Sequence, residues 1–230
     1  MSRLLQLDAL RGLAILLMII FNWSFALRFL GVIHVDNSWL YWWLFPRVIA
    51  ASFITIAGIS LALSHEKIKY KSQKYVSKKY IMRGGKIFLF GLGITITTYF
   101  TYQYYTIWFG ILHLIGLSII ISSFFLRYKK LNLLIGLAII AVGLYIQATY
   151  SQLLWLLPFD FQTFDYFSLI PWSGFVFIGM FIGNCIKKSK SMHNKFIDKS
   201  FAFLGRHSLL IYIMHQPLLI TVLFTLGYTV

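Results

Sequence analysis

Apolar residues occur in seven long blocks along the chain, each close to the length of a membrane-spanning helix. The blocks fall at about 9–29, 41–64, 87–103, 107–126, 131–150, 166–186 and 201–226. About 20 apolar residues cross a hydrocarbon core, and only helices or closed barrels satisfy their backbone groups there. The pattern therefore predicts an all-α integral membrane protein, a single bundle of about seven transmembrane helices over residues 1–230. We expect the first block to be a retained helix rather than a signal peptide.

Positive charge is confined to alternate breaks between these blocks. Eight Lys or Arg lie in 65–86, three in 127–130 and five in 187–199, whereas the breaks near 30–40, 102–106 and 151–165 contain none. Basic residues collect in cytosolic loops. The distribution therefore predicts that the N-terminus is cytoplasmic, the C-terminus is outside, and 65–86 is a cytosolic loop of a multi-pass cell-membrane protein.

The composition is typical of a chain whose main solvent is lipid. Of 230 residues, 59% are hydrophobic and 12% are charged, and this charged share is about half that of a soluble domain. The net charge of +15 does not indicate nucleic-acid binding, because no nucleic-acid motif accompanies it. No metal-binding spacing is present, and the single cysteine excludes an intramolecular disulfide. We expect the lipid bilayer as a partner, no nucleic acid and no metal; a homodimer stays open.

The first apolar block carries three polar residues that share one helix face. Asp8 and Arg11 are one turn apart, and Asn22 follows Arg11 by eleven residues, which brings it near the same line. Ionisable groups in hydrocarbon are costly, so they indicate function. One interpretation is a polar stripe along a substrate route. The other is a local Asp8–Arg11 ion pair, with Asn22 as a contact between helices.

Further polar residues cluster at the predicted outer end of this block. Arg28, His34 and Asp36 lie on or near the following break, and Arg47 lies just inside the next block. Histidine titrates near neutral pH, so His34 can take a proton from an amine or hydroxyl acceptor, or carry an acyl group. The alternative is that these residues are solvated loop groups.

Two histidines lie within later blocks. His113 is flanked by Gly110 and Gly116, and His215 shares a helix face with Ser208 and Tyr212. Either histidine can line a substrate path or form hydrogen bonds between helices. Small residues at helical spacing predict close helix contacts. They are Ser52, Thr55, Gly58, Gly91, Gly93, Thr95, Gly174, Gly179 and Gly183.

A glycine pair, Gly84 and Gly85, stands between Arg83 and Lys86 at the predicted start of the third helix. Basic side chains around free backbone N–H groups at a helix start suit a phosphorylated ligand from the cytosol. Topology and contact with lipid headgroups is the rival explanation, and we favour it for most of the lysines in 65–79.

Five stretches of the sequence together resemble a known family. They are RLLQLDALRGLAILLMIIFN, ITIAGISLALS, FGILHLIGLS, DYFSLIPWSGFVFIG and LGRHSLLIYIMHQP, and they span nearly the whole chain in order. The chain resembles the prokaryotic membrane proteins related to heparan-alpha-glucosaminide N-acetyltransferase, a transmembrane acyltransferase group that also includes the YeiB-like proteins. The resemblance implies that acetyl-CoA enters from the cytosol and that its acetyl group reaches an acceptor outside.

The resemblance also assigns roles to residues. The family's LD-x-x-RG motif falls on Asp8, Arg11 and Gly12, its late asparagine on Asn22, and its active-site histidine on His34. Our hypothesis is that His34 is the general base, oriented by Asp36 or Asp165, and that Asn22 donates to the oxyanion. An acyl-histidine intermediate and direct transfer both stay open.

The predicted catalytic residues are therefore His34, Asn22 and Asp36. Predicted binding residues fall into two groups. Those for acetyl-CoA are Asp8, Arg11, Arg83, Gly84, Lys86, His113, Arg206 and His215; those for an amino-sugar or hydroxyl acceptor are Arg28, Arg47, Asp165 and Trp172. The alternative function is a small-molecule transporter or flippase with polar-lined helices, which inverted repeats would favour; inspection of the sequence reveals none.

Overall fold

The computed structural model describes residues 2–34, 38–101, 105–149, 165–186 and 197–225, and regular structure in these ranges is helical. The helices are α1 (Ser2–Phe29), α2 (Phe45–Glu66), α3 (Gln73–Thr101), α4 (Ile111–Ser122), α5 (Lys129–Thr149), α6 (Leu169–Ile186), α7 (Ile197–Arg206) and α8 (Ser208–Thr225). A π-helical turn, Leu40–Leu44, leads directly into α2, and a 3₁₀ turn, Ser123–Phe125, follows α4. The predicted all-helical class is confirmed.

Within the described ranges, six of the predicted apolar blocks correspond to one helix each and the last to two, and four helical stretches are long and apolar enough to cross a membrane. They are Leu5–Arg28, Leu40–Glu66, Lys129–Ile146 and Leu169–Ile186. The count of seven spans and the orientation of the termini stay predictions.

Two boundaries differ from the prediction. The stretch 73–86 was predicted to be part of a loop, but α3 begins at Gln73 and runs through it. Its apolar side is provided by Val76, Tyr80 and Gly84, which are spaced by four residues and buried. The last predicted block is also interrupted at His207, which separates α7 from α8.

The chain divides into two compact units. The first comprises Met1–Phe53 and Lys190–Val230, and the second comprises Ile54–Ser189. In the first unit, α1 and α7 pack backbone to backbone: a Cβ on Gly12 would overlap the carbonyl of Phe201, and one on Gly205 would overlap the carbonyl of Asp8. Small residues at such crossings let helices in lipid approach closely.

In the second unit, the helices also cross at glycines. A Cβ on Gly84 would lie 2.6 Å from the carbonyl oxygen of Gly116, and one on Gly174 would lie 2.7 Å from that of Gly136. The packing prediction is confirmed at Gly58, Gly91, Gly174, Gly179 and Gly183. It is wrong at Gly93, which faces open space, and at Ser52, which is exposed.

Candidate active site

The first unit joins two predicted site residues that are far apart in sequence. The side-chain amide of Asn22 on α1 lies 3.2 Å from Nε2 of His215 on α8. The His215 side chain is buried, and its Nδ1 lies 2.6 Å from the backbone oxygen of Tyr212. Since a carbonyl only accepts, Nδ1 carries the proton and Nε2 accepts from Asn22. One N–H of the Asn22 amide is therefore used, and within the described part of the chain the second has no hydrogen-bond partner.

The same two helices are joined by the indole of Trp23. Its Nε1 donates to the backbone oxygen of His215 at 3.2 Å. Two consecutive α1 residues thus bind one α8 residue, which fixes the register of the helices at this point. The sequence offered no signal for the role of Trp23 beyond its place next to Asn22.

His34 follows the C-terminus of α1 in a defined turn. Gly31 has a φ of 68°, the N–H of Val32 donates to Leu27 at 2.9 Å, and the N–H of Gly31 donates to Arg28 at 3.0 Å. These are the two bonds of a Schellman motif, which favours glycine at the left-handed position. His34 is exposed beyond this turn. Its predicted partner Asp36 lies outside the described residues.

Asn22 and the predicted base His34 are separated by the end of α1. Phe29, the last residue of α1, is seven residues beyond Asn22, which corresponds to about 10 Å along the helix. The hydrogen-bond partner that the structure gives Asn22 is His215. The sequence placed Asn22 and His215 in different roles, one catalytic and one donor-binding.

Two predicted acceptor-binding arginines lie against tryptophans. The guanidinium of Arg28 is 4.5 Å from the ring centre of Trp42, and that of Arg47 is 4.2 Å from the ring centre of Trp43. Arg47 also donates to the backbone oxygen of Trp43 at 2.7 Å. Cation–π contacts of this kind hold the charged groups beside aromatic surface.

Three predicted donor-binding residues lie at the crossing of α1 and α7. Arg11 donates to Asp8 at 3.3 Å, as the ion-pair interpretation requires. Arg206 is exposed and directly follows Gly205, which packs on the Asp8 backbone. Arg11 and Arg206 therefore both lie near the crossing of α1 and α7 in the first unit.

In the second unit, His113 is a buried residue of the α4 N-terminus. Its Nδ1 accepts from the N–H of Gly110 at 3.2 Å, so the proton is on Nε2, which lies 3.4 Å from Oγ1 of Thr95. That hydroxyl donates in turn to the carbonyl of Ile107 at 2.5 Å. Both ring nitrogens are therefore engaged by the second unit itself, which favours the structural interpretation of His113.

Asp165 lies at the same helix end. Its Oδ2 accepts from the N–H of Ile111 at 3.3 Å, and a carboxylate there satisfies a free N–H and opposes the positive end of the helix dipole. Trp172, another predicted acceptor residue, packs edge-on against Phe167 with ring centres 5.0 Å apart.

The predicted phosphate cradle at Gly84 needs a correction. Gly84 lies eleven residues inside α3, so its N–H belongs to the helix and is not free as it would be at a helix start. Gly84 is buried against α4, whereas Arg83 and Lys86 are exposed. What is wrong is the predicted helix start, because the lysine-rich stretch before Gly84 is helical rather than a loop.

A comparison with family models finds one that covers most of the chain. The model described as heparan-alpha-glucosaminide N-acetyltransferase, catalytic, matches residues 3–217. No curated protein and no solved structure matches the chain. Among the described residues, no group of three or more His, Cys, Asp or Glu is arranged to hold a metal ion.

Proposed function

Because the chain belongs to the heparan-alpha-glucosaminide N-acetyltransferase catalytic-domain family, a family of multi-pass membrane acetyltransferases, we propose how this member works. It moves the acetyl group of cytosolic acetyl-CoA to an amino-sugar or hydroxyl acceptor on the outer side of the cell membrane. The observation that carries the proposal is the Asn22–His215 pair.

The pair suits an acyl-transfer transition state. When an amine attacks the thioester carbon, the carbonyl oxygen becomes negative, and preorganised N–H donors aimed at that oxygen lower the barrier. His215 holds one N–H of the Asn22 amide in a buried setting, which orients the other N–H. Asn22 is then the oxyanion donor and His215 the residue that positions it.

The transfer is completed by one proton acceptor and one leaving group. The acceptor nitrogen or oxygen forms a bond to the acetyl carbon, the carbon–sulfur bond breaks, and CoA leaves as the thiolate. His34, which the end of α1 separates from Asn22, is the proposed general base, and the segment after α1 has to bring it to the attacking group before the proton can transfer. Arg11 and Arg206 contact CoA phosphates, because guanidinium groups bind phosphate well.

The experiment is a transfer assay in proteoliposomes. Purified protein receives radiolabelled acetyl-CoA on one side and glucosamine on the other, and label on the sugar supports the proposal. Asn22→Ala lowers the rate and leaves acetyl-CoA binding intact. Ser52→Ala is the matched control, since this exposed serine donates to the carbonyl of Val48 within its own helix. Failure of the wild-type protein to bind acetyl-CoA would overturn the proposal.

A further inference from the structure

The exposed side of the Lys67–Lys86 stretch forms a basic surface that the transfer reaction does not use as a whole. We define the α3 basic surface as Lys67, Lys71, Lys74, Lys78, Lys79, Arg83 and Lys86. All are exposed except Lys79, which is half-buried. The acid in this part of the chain, Glu66, is paired with Lys69 at 2.8 Å, so the surface keeps its full positive charge.

The position of this surface along α3 puts it at the level of headgroups. With 29 residues, α3 is about 43 Å long, whereas a hydrocarbon core is about 30 Å thick. Since α3 exceeds the core by about 13 Å, roughly its first nine residues extend past the core, and these include Lys74, Lys78 and Lys79. Helix residues that are both apolar and exposed, Tyr75, Ile81 and Met82, lie among the lysines. Such a mixture fits the boundary between lipid and water.

The α3 basic surface also differs from a compact site for a soluble phosphate. Free backbone N–H groups are absent from the helix interior at Gly84, and the charges are spread over four turns rather than gathered at one point. A bilayer leaflet with many anionic headgroups matches such a spread.

We infer that the α3 basic surface binds the headgroups of anionic phospholipids, and that this binding stabilises the second unit in the membrane. A lipid headgroup and a soluble phosphorylated ligand both present phosphate. The spread of positive charge along α3 favours the lipid headgroup. The inference does not depend on the acetyl-transfer proposal.

The test compares two variants of the full chain with equal charge changes. K74E/K78E/R83E alters the α3 basic surface, and R127E/K129E/K130E alters exposed residues at the start of α5. Each protein is placed in nanodiscs of phosphatidylcholine, alone or mixed equally with phosphatidylglycerol. Retained lipids are counted by native mass spectrometry, and thermal unfolding is followed with and without pyrophosphate. Size-exclusion profiles verify folding.

The expected result is that wild-type protein and the α5 variant prefer phosphatidylglycerol and unfold at higher temperature in its presence. The α3 variant binds it on the order of a hundredfold more weakly, and added salt weakens the preference of the wild type. Equal loss in both variants would show that charge anywhere on the protein suffices, and would overturn the inference. So would stabilisation by pyrophosphate that the α3 variant lacks, with no effect of phosphatidylglycerol.

Discussion

Nε2 of His215 accepts a hydrogen bond from the Asn22 amide at 3.2 Å, while Nδ1 of the same ring is bound to the carbonyl of Tyr212. The ring is thus held from both sides, and its tautomer is fixed by the backbone. A positioned amide of this kind can donate to a developing oxyanion without first reorganising.

This relationship predicts coupled losses of activity. Asn22→Ala lowers kcat by about 10²–10³, the loss typical of removing one oxyanion donor. His215→Ala produces a similar loss because Asn22 is no longer oriented. The double variant is little worse than Asn22→Ala alone, because residues that act as a unit are not additive. Initial rates with labelled acetyl-CoA measure the three values, and additive losses would contradict the pairing.

The Schellman motif predicts that the residue at 31 controls the path to His34. Gly31→Ala places a residue with a Cβ atom at a φ of 68°. This left-handed conformation lowers the free energy of unfolding by about 1 kcal/mol. We expect lower thermal stability and a lower transfer rate, because the turn that leads to His34 is altered. Gly31→Asn restores both, since asparagine tolerates this conformation. If the alanine and asparagine variants behave alike, left-handed geometry is not what matters here.

The sequence was sufficient for the apolar helices and for the polar and small-residue faces of some of them, and the reason is periodicity. A helix face can be identified from residues three and four apart, which is how Asn22 and the packing glycines were selected. The helix against which such a face packs cannot be identified in this way. Asn22 and His215 are 193 residues apart, so their pairing depends on how α1 and α8 pack.

The failures have an equally physical origin. The lysines at 74, 78 and 79 lower the average hydropathy of this stretch, so the helix that buries Val76 and Tyr80 is missed. Average hydropathy ignores which side of a helix each residue occupies. For Asp165, its charge suggests acceptor binding, and that role stays a prediction. Its bond to the Ile111 N–H depends on how the segment before α6 packs on the start of α4, which sequence alone does not reveal.

The glycine pair in α3 predicts opposite effects at adjacent positions. Gly84→Ala places a methyl group 2.6 Å from the carbonyl oxygen of Gly116, whereas Gly85 has nothing within 4 Å. We expect Gly84→Ala to destabilise the protein by about 1–3 kcal/mol and Gly85→Ala to leave the unfolding temperature unchanged or slightly higher. Thermal unfolding in one detergent measures both. Equal behaviour of the two variants would mean that Gly84 does not pack as described.

The carboxylate of Asp165 predicts a loss of stability rather than of acceptor affinity. Asp165→Asn keeps an oxygen for the Ile111 N–H but removes the charge beside the helix dipole, at a cost of about 0.3–1 kcal/mol. Asp165→Ala also removes the hydrogen bond, and such caps are worth about 1 kcal/mol. Unfolding temperature should therefore fall in the order wild type, Asn, Ala, while the KM for glucosamine stays the same. A KM that rises for glucosamine but not for glucose, with unchanged stability, would instead assign Asp165 to the acceptor ammonium group.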